Sequence, residues 1–171
     1  MVLIRHERSS DVAAREGLLD LVFGGMRRTK TCERLREGRL PAAGLSFVAT
    51  WCDRLIGTIR LWHVSAGRHR PALLLGPLAV DPEHHRDGVG SSLMARALLA
   101  ANRGGFGEIF LLGDEPYYAR FGFSAKHAHG LSLPGPYEQR RLLGLALVPQ
   151  ADVASGLLRA TGLLSNRALP R

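Results

Sequence analysis

The chain has 171 residues, of which 46% are hydrophobic and 22% charged, so it is long enough to form one domain around a sizeable core. Its formal net charge is +8, and no apolar run approaches the roughly 20 residues that cross a bilayer. We therefore expect no helix that spans a membrane. The first five residues lack the layout of a signal peptide, so we expect a cytoplasmic protein with no membrane partner.

Arginine supplies nearly all of the positive charge, since Lys30 and Lys126 are the only lysines. The arginines are scattered, with short pairs at 27–28 and 140–141. A nucleic-acid-binding protein more often concentrates arginines on one helix or interleaves them with aromatic residues. We therefore expect no nucleic-acid partner, and a basic groove for a polyanionic cofactor explains part of the charge.

The cysteines and histidines do not form metal sites. Cys32 and Cys52 have neither metal-ligand spacing nor a disulfide framework, so both are expected to be reduced thiols. The pair His84-His85 and the motif at 127–129 each lack a third ligand at a typical spacing. These histidines are expected to lie on surface loops.

The first 40 residues predict one strand and two helices. Residues 1–7 form a short strand, and apolar residues spaced for one helix face extend from Val12 to Phe23, with Ser9 or Ser10 as the cap. Residues 27–38 (RRTKTCERLREG) predict a second, strongly charged helix whose main apolar anchor is Leu35.

The next segment predicts a hairpin and a central strand. Residues 45–51 and 55–64 alternate between apolar and polar side chains, which is typical of paired strands. Residues 72–80 are almost wholly apolar and predict the fourth strand. A helix over 91–102 and a fifth strand over 108–112 follow, and the right-handed crossover rule makes the fifth strand parallel to the fourth.

The remaining residues predict two further strands. One begins at 123–125 and the other covers 141–148, with a loop at 126–136 between them. Residues 150–171 have weak periodicity and predict no element.

Gly76-Pro77 interrupts the fourth strand. Because proline cannot donate to a strand ladder, a central strand tolerates it only at a bulge or where pairing has already been lost. Residues 78–80 then lie beside a gap in the sheet, with backbone groups that need partners. An extended ligand that carries amides would supply them, whereas the alternative interpretation is a kinked strand end.

The turn after this strand, DPEHHRDGVGSS at 81–92, leads into a helix through Gly88 and Gly90. Glycines let the backbone turn tightly and approach a bound group closely. Successive N–H groups and the helix dipole then converge at one point, which favours a phosphate. The alternative interpretation is a helix entered through a flexible turn.

A third motif, PYYARFGF at 116–123, places two tyrosines on a short helix. Tyr117 and Phe121 are four residues apart and are expected to form an apolar pair. Tyr118 is rotated by about 100° from Tyr117, so its hydroxyl can point elsewhere.

These three motifs, in this order, resemble the GCN5-related N-acetyltransferase (GNAT) superfamily, in particular its YhbS-like bacterial branch. The resemblance covers about residues 1–148, which implies one acetyltransferase domain with a tail of uncertain order at 149–171. It implies an α/β (α+β) fold with a mixed central sheet of about seven strands. That sheet is splayed between strands four and five and flanked by about four helices, and acetyl-CoA lies in the split.

The resemblance also implies roles for individual residues. The Leu78 N–H polarises the thioester carbonyl, Val80 pairs with the pantetheine amides, and Tyr118 protonates the leaving thiolate. His85 stands where the superfamily usually has glutamine or arginine, so Arg86 is a candidate to supply the charge. The full set of residues expected to bind coenzyme A is Leu78, Ala79, Val80, Arg86, Asp87, Gly88, Val89, Gly90, Ser91 and Arg120.

The sequence does not identify the acceptor or the base that would deprotonate it. The acceptor is expected to be a small-molecule or peptide amine, and a homodimer is compatible with the sequence. Strand four has no carboxylate to act as a base, which leaves His63, Asp114, Glu115 or a water chain. The alternative function is a coenzyme A-binding regulatory protein with little or no activity.

Overall fold

The computed structural model describes residues 1–150 and 152–166, and its centre is a mixed sheet of eight strands. The strands, in chain order, are β1 Leu3–His6, β2 Ser46–Trp51, β3 Arg54–Ala66, β4 Pro71–Val80, β5 Glu108–Leu112, β6 Leu131–Ser132, β7 Leu142–Ala146 and β8 Gly156–Ala160. The main sheet has the order β1-β2-β3-β4-β5-β7, and β8 pairs with both β3 and β6. The GNAT fold class expected from the sequence is confirmed, with eight strands rather than about seven.

Three α-helices accompany the sheet: α1 Val12–Phe23, α2 Val89–Arg103 and the single-turn α3 Glu115–Tyr118. None of these helices has the length and apolar character needed to cross a bilayer, within the part of the chain that is described. The expected cap at Ser9 or Ser10 is wrong, because residues 9–11 form a 3-10 turn and Asp11 precedes α1.

The sheet opens between β4 and β5, as expected. Those two parallel strands pair only at Leu73 with Ile109 and at Leu74 with Phe110. A register shift in the β3–β4 ladder between Ile59 and Leu61 lies opposite Gly76-Pro77, so β4 changes course there. The second half of β4 therefore pairs with β3 alone.

The two faces of the sheet have separate apolar clusters. The face under α2 buries Leu93, Met94 and Ala97 against strand residues such as Phe47 and Ile109. The opposite face is covered by α1 and by residues 31–35, and it buries the residues Cys32, Leu35, Trp62, Leu74, Phe110, Leu142 and Leu158. Leu35 is therefore the anchor that the sequence predicts.

The charged helix expected over residues 27–38 is wrong. Two 3-10 helices, Gly25–Thr29 and Thr31–Leu35, occupy the segment, and the extended backbone of Lys30 separates them. The Thr31 hydroxyl donates to the Pro136 carbonyl, and Nη1 of Arg34 donates to the Pro134 carbonyl at 2.8 Å. These bonds to a distant loop hold the segment in a shape that a continuous helix would not allow.

The strand expected from residue 123 is also wrong. Ser124 makes only an isolated bridge with Gly144, because a 3-10 turn over Lys126–Ala128 follows at once. The sixth strand is β6 instead. Strand β8 lies beyond residue 148, the expected end of the domain, in a segment whose sequence predicts no element.

Candidate active site

Two adjoining depressions flank the open half of β4, and they share Leu78, Asp114 and Tyr118. The larger, of about 670 Å³, is called the β4–α2 groove. It is lined by Val22, Leu78, Ala79, Val80, His85, Arg86, Gly88, Gly90, Ser91, Asp114, Tyr117, Tyr118 and Arg120. Most residues that the sequence predicts to bind coenzyme A are thus brought together along one groove.

The backbone of β4 presents alternate residues to this groove. The Asp81 N–H donates to the Ile56 carbonyl of β3 at 2.8 Å, so the backbone groups of Asp81 point toward β3. Since successive residues of a strand point their N–H and C=O groups to opposite sides, those of Leu78 and Val80 point away from β3. They face the gap left by β5.

The groove ends at the start of α2. Gly88 precedes the helix with φ +71°, a left-handed conformation that glycine adopts without steric cost. The first α2 bond joins the Ser92 N–H to the Gly88 carbonyl at 3.0 Å. The preceding N–H groups have no partner within the helix, and they coincide with the positive end of its dipole.

Gly90 lets the start of α2 and the Tyr117 side chain lie close together. A Cβ atom added there would lie 2.7 Å from the Tyr117 hydroxyl oxygen, well inside normal contact distance. Tyr117 therefore packs directly over the start of α2, and its ring also lies 5.7 Å from that of Phe121, the pair that the sequence predicts.

Two arginines supply positive charge at this end of the groove. Nη2 of Arg120 donates to the Ser91 hydroxyl at 2.9 Å, and the guanidinium lies 4.8 Å from the centre of the Tyr117 ring. Arg86 lines the same groove and is exposed. The site therefore joins two cations, a hydroxyl and free backbone N–H groups.

His85 has a contact that the sequence did not indicate. Its Nε2 lies 3.0 Å from the Val80 carbonyl oxygen, and a carbonyl only accepts, so Nε2 carries the proton. The imidazole thus links the turn to the edge of β4. No pattern in the sequence pairs residue 85 with residue 80.

Two predicted residues lie apart from the groove lining. The Asp87 carboxylate is 2.8 Å from Nδ1 of His84, and Val89 is 1% exposed in the core beside Gly57. Their side chains are engaged elsewhere, and the Asp87 N–H donates to the His84 carbonyl at 3.1 Å, so of these two residues only Val89 offers a backbone N–H to a ligand.

Tyr118 lies where the two depressions meet. Its ring is half-buried and packs edge-on against Phe123 and Tyr117, with centroids 6.1 and 4.9 Å away. Burial, with smaller contributions from Tyr117 and Asp114, raises the pKa of Tyr118 to about 12, and Arg141 opposes the shift. The hydroxyl is therefore a neutral hydrogen-bond donor throughout the physiological pH range.

The three side chains considered as a base lie in different places. His63 packs against Phe106 with ring centres 5.6 Å apart, and Glu115 accepts from the Ala125 N–H at 3.3 Å. Neither lines the groove. Asp114 does, and its carboxylate is 3.4 Å from Nε of Arg141.

The smaller depression, of about 290 Å³, lies between β4, α1 and the 3-10 turns and is called the β4–α1 cavity. It continues from the groove past Leu78 and Tyr118 and reaches Gly76 and Arg36. Five residues of the segment 27–38 line this cavity: Arg27, Lys30, Cys32, Glu33 and Arg36. Among the described residues, no three His, Cys, Asp or Glu side chains are grouped as metal ligands would be.

Comparison with known proteins gives matches to one family. The family model described as "Acetyltransferase (GNAT) domain" matches residues 42–125, which include β4, the α2 turn and Tyr118. No curated protein sequence matches the chain significantly.

Three solved structures resemble the chain over most of its length. The GNAT family N-acetyltransferase YhbS from Escherichia coli, in complex with CoA, is 29% identical with a TM-score of 0.79, covering 94% of this chain and 89% of that one. A GNAT family acetyltransferase from Brucella melitensis, in complex with acetyl-CoA, is 27% identical with a TM-score of 0.69, covering 94% and 96%.

The third is Rv2747 from Mycobacterium tuberculosis, in complex with CoA and NLQ, which is 25% identical with a TM-score of 0.55 and covers 71% of each chain. The family model, the splayed sheet and these similarities lead to one conclusion: the chain contains a GNAT acetyltransferase domain, and its structure is similar to that of the YhbS acetyltransferase from Escherichia coli.

Proposed function

We propose that the protein transfers an acetyl group from acetyl-CoA to a primary amine by direct attack of the amine on the thioester. The observation that carries this proposal is the exposed edge of β4 beside Leu78 and Val80, which leads directly to the start of α2. A strand edge suits an extended amide chain, and a helix N-terminus suits phosphates. Coenzyme A has both parts.

The residues of the groove match the parts of this ligand in order. The N–H groups at 88–91 with Arg86, Ser91 and Arg120 would hold the pyrophosphate, and the backbone of Val80 would pair with pantetheine. The Leu78 N–H would donate to the thioester oxygen. The relatives solved with CoA and acetyl-CoA support this assignment.

Tyr118 would donate a hydrogen bond to the sulfur as the carbon–sulfur bond breaks. Complete proton transfer from a phenol of pKa about 12 to a thiolate of about 8.5 is uphill by about 5 kcal/mol. Tyr118 therefore stabilises the developing thiolate by hydrogen bonding, and the proton transfers late. This role depends on the hydroxyl remaining neutral, which its burial ensures.

Asp114 is the base that we favour. Of the candidates His63, Asp114 and Glu115, it alone lines both the groove and the cavity, so its carboxylate can reach an amine that enters from the β4–α1 cavity. The amine proton passes to the carboxylate, the amine nitrogen bonds to the acetyl carbon, and the thiolate leaves toward Tyr118.

The function is tested by measuring CoA binding by calorimetry together with thiol release from acetyl-CoA across a panel of amines. Binding with thiol release on at least one amine is expected. Tight CoA binding without turnover on any amine would favour the alternative of a CoA-binding regulatory protein.

Replacing Asp114 with asparagine is expected to lower kcat/KM at neutral pH by about 100-fold, because the amine loses its proton acceptor. The deficit should shrink as the pH rises toward an amine pKa of about 10, where the free base forms without help. Steady-state kinetics over pH 6–10 measure both effects. Glu115→Gln is the matched control, and equal pH profiles for both variants would remove Asp114 as the base.

Replacing Gly113 with alanine is expected to lower kcat by about 10- to 100-fold, because small displacements of a reacting group are costly. An added Cβ would overlap the Tyr118 ring, including a contact of 2.9 Å with Cδ2. CoA affinity should change little. Gly25→Ala, where an added Cβ meets nothing within 4 Å, is the control, and wild-type kcat in Gly113→Ala would contradict the placement of Tyr118.

A further inference from the structure

The β4–α1 cavity has more positive than negative groups in its lining. The charged residues around it are the cations Arg27, Lys30, Arg36 and Arg141 and the acids Glu33 and Asp114. Arg27 is already paired with Glu16 and Asp20, which lie outside the lining, and Arg141 lies near Asp114. Lys30 is exposed, and its ammonium lies over the Phe23 ring, so Arg36 is the buried cation with the weakest ion pair in the cavity.

The Arg36 side chain is 11% exposed. Its hydrogen bonds within the described residues consist of one from Nη1 to Glu33 Oε2 at 3.5 Å, the outer limit of such a bond. Its Nε is buried and has no partner there. The Arg36 guanidinium has five N–H donors, and within the described residues only one of them makes a hydrogen bond, the weak contact with Glu33.

The neighbouring backbone makes room for this guanidinium. A Cβ at Gly76 would lie 2.9 Å from Nη2 of Arg36, so a larger residue would push the arginine aside. The Gly76 carbonyl does not accept from Arg36. It already accepts a hydrogen bond from the Trp62 indole N–H at 2.7 Å. Arg36 thus lies against the bulge of β4, two residues before Leu78.

A buried charge without adequate partners is unfavourable, and a bound anion would complete the hydrogen bonds that Arg36 lacks. Burial also lowers the pKa of Arg36, which an anion beside it would oppose. A guanidinium with free donors binds carboxylates in preference to neutral groups.

We propose that Arg36 binds a carboxylate of the acceptor, so that the acceptor is a small amine of the amino-acid class. This inference rests on the proposed acetyltransferase function. The cavity volume of about 290 Å³ is at the lower end of the range for small-molecule sites, which suits such a compound. The carboxylate lies at Arg36, and the amine extends toward Leu78, Asp114 and Tyr118, where the cavity joins the groove.

The test compares acids with their primary amides, which have nearly the same size and lack the charge. Thiol release from acetyl-CoA is measured for a series from glycine to 6-aminohexanoate and for the common α-amino acids, each beside its amide. For the best acceptor, kcat/KM is expected to be at least about tenfold higher for the acid than for the amide. Equal values for every pair would overturn the inference while leaving the acetyltransferase function intact.

A binding measurement keeps the inference testable without turnover. The N-acetyl derivatives of the same acids and amides are titrated calorimetrically into protein saturated with CoA. At least one acid is expected to bind about tenfold more tightly than its amide. Equal affinity in every pair, or no measurable affinity for any acid, would overturn the assignment, whereas CoA binding tests the proposed function separately.

Arg36→Met is expected to reduce the acid-to-amide ratio to about one, because the variant retains an unbranched side chain and loses the charge. CoA affinity should be unchanged, and thermal unfolding checks that the variant is folded. Arg28→Met, at an exposed arginine of the preceding 3-10 helix, should retain the wild-type ratio. A wild-type ratio in Arg36→Met would contradict the assignment.

Discussion

Replacing Tyr118 with phenylalanine is expected to lower kcat by about 100- to 10,000-fold, the range typical of losing a proton donor. CoA affinity should stay within about twofold, because the interaction forms only as charge builds on sulfur. Thiol-release kinetics and CoA calorimetry measure the two quantities. The phenyl ring retains the packing on Phe123 and Gly113, so the change removes the hydroxyl alone.

Spectroscopic titration gives this prediction a second measurement. Burial raises the pKa of Tyr118 to about 12, so the wild-type protein should show a phenol that ionises about two units later than an ordinary tyrosine. That late ionisation should disappear in Tyr118→Phe. Tyr137→Phe, which alters a hydroxyl that donates to Gln139 Oε1 outside the groove, is the control for kcat. Wild-type turnover in Tyr118→Phe would rule out its role as the acid.

Replacing Gly90 with valine is expected to weaken CoA binding by about 10- to 100-fold or more. The first added atom would lie 2.7 Å from the Tyr117 hydroxyl oxygen, and the branched methyl groups would fill the space over the start of α2. Crowding of this kind typically costs about 1–3 kcal/mol. Calorimetric titration with CoA measures the loss directly.

The matched control is Gly17→Val on α1, where an added Cβ meets nothing within 4 Å. It introduces the same side chain at an exposed position that lines neither the groove nor the cavity, so CoA affinity should remain at the wild-type value. Gly90→Ala should lie between wild type and Gly90→Val. Unchanged CoA affinity in Gly90→Val would contradict the assignment of this turn to the phosphates.

The features predicted correctly from the sequence are those specified by neighbouring residues: the break in β4, the turn at Gly88 and helix α2. Gly76-Pro77 marks a break in a strand because proline lacks an N–H, and the observed loss of pairing after Leu74 follows. The turn through Gly88 requires a left-handed residue just before α2, and the spacing of apolar residues predicts α2 itself. These signals lie within a few residues of the structures they specify.

The features that the sequence did not predict depend on contacts between residues far apart in the chain. The shape of residues 25–35 is set by bonds from Thr31 and Arg34 to carbonyls about 100 residues away, which no local pattern encodes. The contact of His85 with Val80 and the burial of Arg36 likewise arise only after the strands have assembled. The charge of residues 27–38 indicated a polar helix, whereas tertiary contacts produced two 3-10 helices.

Strand β8 connects the end of the described chain to only one of the two depressions, the β4–α1 cavity. It pairs with β3 at residues 64–66 and with β6 at Leu131, and the loop after β6 holds Thr31 and Arg34. Strand β8 thus supports the segment that lines the β4–α1 cavity, while the β4–α2 groove is built mainly from β4 and the start of α2. Substitutions in β8 can therefore change the shape of the β4–α1 cavity and leave the turn at residues 88–91 as it is.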